Sequence, residues 1–172
     1  IELGQPEQYP EVAEAFLRRH PYEFIIGSVH NLDRVPDFCM MNFEYIPDAL
    51  ASQLFDRTLD EMNALIDFPI TTLAHLTYQT RYMAMAGKSF DFAPHRDKTA
   101  ALLKKLISRG IALEVNVSTV WRGLGFTMPQ AEIIALYRDL GGSLITIGSD
   151  AHSPVNLGRG IDEGLELLRS LG

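Results

Sequence analysis

The chain has 172 residues, of which 47% are apolar and 22% charged, a balance that suits one globular domain and excludes disordered and fibrous classes. Lys and Arg total 15 against 22 Asp and Glu, and the formal charge of −7 makes a nucleic-acid partner unexpected. No run approaches the roughly 18 apolar residues of a membrane span. With no basic, apolar leader at the first residues and a single cysteine, Cys39, a reducing, cytoplasmic location is expected.

Ile1-Glu2-Leu3-Gly4 reads as the end of a strand, so the chain is expected to be one domain, 1–172, that lacks its N-terminal part. A first helix is predicted from about Pro10 to Arg19, with Val12, Ala13, Phe16 and Leu17 as its apolar stripe, ending at His20-Pro21. Phe24 to Val29 is a short apolar strand, followed by a polar, aromatic-rich loop from Asn31 to Tyr45 in which Cys39 is expected to be a small buried hydrophobe. A second helix spans about Asp48 to Ile66, with Leu50, Leu54, Met62, Leu65 and Ile66 on its inner face. Ile70 to Ala74 is a strand, and a Tyr- and Met-rich loop follows it.

Pro94 opens a third helix, closed by Gly110 as a left-handed cap. Ile111 to Val117 is a strand, Pro129 starts another helix, and Gly141-Gly142 stops it. Leu144 to Ile147 is the last strand, and a helix from about Ile161 to Leu171 closes the chain. Apolar strands alternating with helices predict an α/β fold with about five parallel strands covered by helices. A doubly wound sheet would place a ligand at a switch point, whereas a barrel would gather ligands at the C-terminal ends of successive strands.

Those strand ends carry the chemistry. Glu2 sits at the end of the first, stub strand, His30 closes the second, His75 the third, and Asp150 and His152 follow the last. Asn116 and Ser118 end the fourth with neutral polar groups. Imidazoles and carboxylates converging on one rim, without thiolates, suit Zn²⁺, Mn²⁺ or Fe²⁺ and argue against a closed structural zinc site. The competing reading is a set of unrelated polar residues at the moist ends of strands. Arg81 and Arg122 sit in loops beyond two of these ends, where a guanidinium fork can grip phosphate oxygens. His20 and His95 lie at helix ends and are not expected to bind metal. There is no phosphate-cradling Gly-rich loop, no Gly-x-Ser-x-Gly elbow and no His-Glu-x-x-His.

Gly4-Gln5-Pro6, His20-Pro21-Tyr22, Gly27-Ser28-Val29-His30, Ala74-His75-Leu76, Glu114-Val115-Asn116-Val117-Ser118 and Gly148-Ser149-Asp150-Ala151-His152 together resemble the polymerase-and-histidinol-phosphatase superfamily, in its histidinol-phosphatase branch. The resemblance implies a distorted seven-stranded α/β barrel, here partial, with a two- or three-metal centre. In that scheme Glu2 bridges two ions, His30 and His75 complete one, Asp150 binds the other, and His152 belongs to a third. Arg81 and Arg122 would hold the phosphate of a small substrate, and Asp150 or His152 would move a proton. The activity implied is hydrolysis of histidinol phosphate to histidinol and phosphate in histidine biosynthesis. The family's first-strand His-x-His pair and the His after its second strand have no counterpart here. The alternative is therefore an impaired barrel remnant that binds phosphate or metal. Exposed strand edges and an apolar barrel interior would then call for a cover, with a homodimer as the expectation.

Overall fold

A computed structural model describes residues 1–172. Five short strands, β1 (Glu2–Gly4), β2 (Ile26–Ser28), β3 (Thr72–Leu73), β4 (Ala112–Asn116) and β5 (Ile145–Gly148), form one parallel sheet in the order β1-β2-β3-β4-β5. Around them run α1 (Pro10–Leu17), α2 (Asp48–Leu65), α3 (Gln79–Met85), α4 (Arg96–Ser108), α5 (Ser118–Trp121), α6 (Ala131–Asp139) and α7 (Ile161–Leu171). Strand order follows chain order throughout, so the sheet has no switch point. It progresses as a barrel wall does and stays open between β1 and β5.

The strands alternate more strictly than their apolar composition suggests. Leu3, Leu73, Leu113, Val115, Ile145 and Ile147 point to the helices and join the apolar core. The opposite face carries Glu2, Ser28, Thr72, Glu114, Asn116 and Thr146 in the paired registers of β1 to β5. Ile26 and Ala112 share this face, so the interior expected from the sequence to be apolar is a mostly polar one. It removes one of the two grounds for a covering homodimer and leaves the unpaired edges of β1 and β5.

The longest helix, α2, packs chiefly against α4 and also touches β2. Ala51, Leu54, Phe55, Leu59, Met62 and Leu65 recur at helical spacing and are buried, against Leu102, Leu103 and Leu106 of α4. Each fully buried Leu, Phe or Met contributes about 1.5–3 kcal/mol. A Cβ on Gly27 would stand 2.6 Å from Leu65 Cδ2 and 2.7 Å from Ile70 Cδ1, so only glycine lets β2 lie this close to its cover.

Several local expectations are corrected. Leu50 is 44% exposed because the inner stripe of α2 begins at Ala51, one residue on. In α1 only Ala13 is buried, and Val12 and Phe16 face solvent, because its main neighbour is the short 3-10 turn Pro6–Gln8. The loop expected after β3 contains α3, which has no Gly or Pro within it and ends before Gly87 at φ +72°. Cys39 is exposed, because in the 3-10 turn Phe38–Met40 it is Phe38 that enters the core. His95 is buried between Phe55 and Phe90, with Nδ1 2.8 Å from Asp56 and Nε2 3.1 Å from Ser52 Oγ, which makes it a packing residue. No helix is long and apolar enough to cross a membrane.

Glu7, in the 3-10 turn after β1, has both carboxyl oxygens buried without a partner. Burial, joined by the charge of Glu61 on α2, raises its pKa from 4.5 to about 7. An acid with a raised folded-state pKa keeps its proton in the folded protein after the unfolded chain has lost it. Stability therefore falls as pH rises from about 4.5 to about 7. The Glu7→Gln variant is expected to flatten that decline and to gain about 1 kcal/mol at pH 8, once solvent screening of a half-buried group is allowed for. Urea unfolding at pH 5 and pH 8 checks this, and identical pH slopes in the two proteins would contradict it.

Candidate metal centre

Three segments place their side chains in one cluster. Glu2 rises from the polar face of β1, His30 stands two residues beyond β2, and His75 two residues beyond β3. Glu2 thus starts lower than the expected strand end and spans the difference with its longer side chain. Glu2 Oε1 is 3.1 Å from His30 Nε2 and 3.9 Å from His75 Nε2, and the two Nε2 atoms are 2.8 Å apart. One ligand atom from each residue lies within 4.8 Å of the others. The imidazoles stack with centroids 4.9 Å apart, and the buried ring of Tyr78 lies 4.7 Å and 5.1 Å from them.

The electrostatics favour a cation. Hydrogen bonding to His30 is the main cause holding the Glu2 carboxyl down at about 2; burial opposes it, and the charges of His75 and His30 assist. When neither ring is charged, the two Nε2 atoms share a single proton at most, so at least one lone pair faces the gap between them. Two nitrogens and a carboxylate oxygen fit Zn²⁺, Mn²⁺ or Fe²⁺.

A second group sits beside the first. Arg81 on α3 donates to Asp150 Oδ2 at 2.7 Å and also to the Ser118 hydroxyl, and Asp150 Oδ1 is 3.1 Å from His152 Nε2. Burial disfavours both charges of the pair, yet Arg81 holds the Asp150 carboxyl below its ordinary range, and Asp150 pushes the Arg81 guanidinium up. Burial and the hydroxyl of Tyr82 raise the pKa of Tyr78, so its ring is a neutral wall.

The two groups are connected underneath. Glu114 Oε2, on the polar face of β4, accepts the backbone N–H of His75 at 2.7 Å, and Asn116 Nδ2 donates to the same oxygen at 3.4 Å. Asn116 Oδ1 accepts from the Ser118 hydroxyl at 2.5 Å, and Ser118 Oγ lies 3.3 Å from Asp150 Oδ2. His75 and Asp150 both have left-handed backbones, at φ +25° and +51°. Such conformations cost about 1–3 kcal/mol each and tend to persist where a functional site requires them.

Of the residues expected to form the site, Glu2, His30 and His75 come together, and Asp150, His152 and Arg81 form the adjoining group. Arg122 does neither. It is exposed and stacks on Trp121, 4.5 Å from the ring centroid, with Arg159 on the same indole at 5.1 Å. The residue types in the strand-end pattern did not reveal Glu114 or Tyr78. The available signal was a carboxylate inside the otherwise apolar run Ile111–Val115, which a buried strand tolerates only with a partner.

No family model matches the sequence. Among curated proteins, the "Probable histidinol-phosphatase" of Thermotoga maritima is 33% identical over 171 residues, covering 92% of this chain and 70% of that protein. The "Probable histidinol-phosphatase" of Clostridium acetobutylicum is 23% identical, and the "Histidinol-phosphatase" of Lactococcus lactis 26%, covering 97% and 88% of this chain. The chain spans 65% and 56% of those two relatives. Among solved structures, HisK of Listeria monocytogenes superposes with a TM-score of 0.79 at 18% identity, over 95% of this chain and 66% of that one. The Lactococcus lactis histidinol phosphate phosphatase, a complex with zinc, L-histidinol and phosphate, gives 0.75 at 21%, over 100% and 65%. The structural likenesses establish the fold, that of a histidinol-phosphatase barrel wall. With the Thermotoga maritima relative matching most of both chains, this chain belongs to the histidinol-phosphatase family.

Proposed function

We propose that this chain carries the metal centre of a phosphomonoester hydrolase whose substrate is histidinol phosphate. The observation that carries the reading is the meeting of Glu2, His30 and His75 within 4.8 Å, from β1 and the segments just past β2 and β3, beside the Asp150–His152 pair. Support for the substrate comes from the family and from the histidinol and phosphate bound by the Lactococcus lactis structure.

Glu2, His30 and His75 would hold one ion, and Asp150 and His152 would supply ligands for a neighbouring one. Bound there, divalent metal would acidify a water molecule for attack at phosphorus and neutralise charge on the phosphoryl oxygens. The protein's own contribution is to fix the donors and to keep positive charge close by. Arg81, buried and oriented by Ser118 and Asp150, presents a fixed guanidinium to an incoming phosphate. Asp150 and His152, hydrogen-bonded to one another, form the route by which a proton leaves the nucleophile or reaches the leaving oxygen. Arg122 and Arg159, stacked on Trp121, add positive charge at the outer rim.

Metal analysis combined with a phosphate-release assay tests the proposal. Protein loaded with Zn²⁺ or Mn²⁺ is expected to release phosphate from histidinol phosphate faster than from a generic phosphomonoester. Metal retained without turnover would favour the metal-binding remnant, and neither metal nor turnover would defeat both readings.

A further inference from the structure

We propose that Glu114 is a positioning residue for the metal centre, fixing both the backbone and the imidazole of His75 so that Nε2 faces the ion. The inference rests on the metal-centre reading of Glu2, His30 and His75. Glu114 lies in the middle of β4, a strand buried along its whole length, where a carboxylate without a task would be expensive. Its Oε2 accepts the His75 backbone N–H at 2.7 Å and stands 3.4 Å from His75 Nδ1. A carboxylate facing Nδ1, at ion-pair distance rather than in a formed hydrogen bond, favours the tautomer with hydrogen on that atom, which leaves the Nε2 lone pair free. That lone pair faces His30 Nε2 and Glu2 Oε1. Carboxylates behind metal-binding histidines commonly have this role.

The neighbouring strand is shaped to admit this carboxylate. A Cβ on Gly148 of β5 would collide with Glu114 Oε1 and stand 3.1 Å from its Cδ, so any larger residue there would push aside the carboxylate that holds His75. Gly148 stands opposite Asn116 in the register, and Asn116 donates to the other Glu114 oxygen, Oε2, which also accepts the His75 backbone N–H. The left-handed φ of His75 is held by the backbone hydrogen bond to Glu114.

The test combines zinc affinity, from chelator competition, with ¹⁵N NMR of the His75 ring in the metal-free protein. In the unsubstituted protein His75 is expected to carry its hydrogen on Nδ1. Glu114→Ala and Gly148→Ala are each expected to weaken zinc binding roughly 10–100-fold and to mix the tautomers, with circular dichroism showing a folded chain. Glu114→Gln, whose amide oxygen still accepts, is expected to recover part of that loss. Hydrogen on Nε2 in the unsubstituted protein overturns the proposal whether or not the variants fold, and so does equal zinc affinity in all four proteins. Unsubstituted protein that binds no zinc overturns the metal-centre reading along with it.

Discussion

Replacing His75 with alanine is expected to abolish the stabilisation that zinc confers and to lower phosphate release by roughly 10³-fold, the equivalent of the several kcal/mol a metal ion supplies to such a reaction. His75 is the buried member of the cluster and contacts every other part of it: His30 through Nε2, Glu2 beyond, Tyr78 on its face and Glu114 behind. Without it, two donors remain on the exposed side, too few to retain a divalent ion against water. Because a ligand bound only to the folded state stabilises by mass action, zinc at 100 times its Kd should raise the unfolding free energy of the unsubstituted protein by about 2.7 kcal/mol. His75→Ala should show no zinc-dependent rise. Thermal unfolding with and without zinc reads this directly, and an undiminished zinc response in the variant would contradict it.

Asp150→Ala is expected to destabilise the chain by about 3 kcal/mol even without metal. The Arg81 side chain is nearly buried, and its charge is balanced by Asp150 at 2.7 Å; removing the carboxylate strands a guanidinium away from water. Arg81 Nε already lacks a partner, so no spare acceptor stands ready to compensate. The Arg81→Met, Asp150→Ala double variant should be more stable than Asp150→Ala alone, since the stranded charge is gone. The pair also sets an acid limit. Asp150 is held below its ordinary value of 3.8, so its contribution is complete above that pH and is lost as pH falls through the lower folded-state value. Urea unfolding of the three proteins at pH 7 measures the first effect. An Asp150→Ala midpoint equal to that of the unsubstituted protein would show that the ion pair contributes nothing net.

The sequence carried more of the site than of its supports. Glu2, His30, His75, Asp150 and His152 were legible because hydrophobic runs that end repeatedly in imidazole or carboxylate have few other uses, and because parallel strands deliver their ends to one rim. The helices were readable wherever an apolar stripe met Gly or Pro punctuation, as in α4 with Gly110 and α6 with Gly141. Where a helix is short, as α3 is, aromatic and Met content looked like a loop. Where a helix has little to pack against, as with α1, a sound stripe predicted burial that no neighbour provides. The polar inner face was hidden for a different reason. Thr, Ser, Asn and two Glu scattered among apolar residues do not reveal which face of a strand they share until the register is known. Glu114 was hidden in the same way, since its partner is 39 residues away in the chain.

The central claim is that Glu2, His30 and His75 bind a single metal ion. A crystal of the zinc-soaked protein, measured on both sides of the zinc absorption edge, tests it most directly. The expected result is an anomalous peak about 2.0–2.2 Å from His30 Nε2, His75 Nε2 and a Glu2 carboxylate oxygen, with or without a second peak beside Asp150 and His152. An empty cluster at saturating zinc, or a peak bound only by other residues, would contradict it.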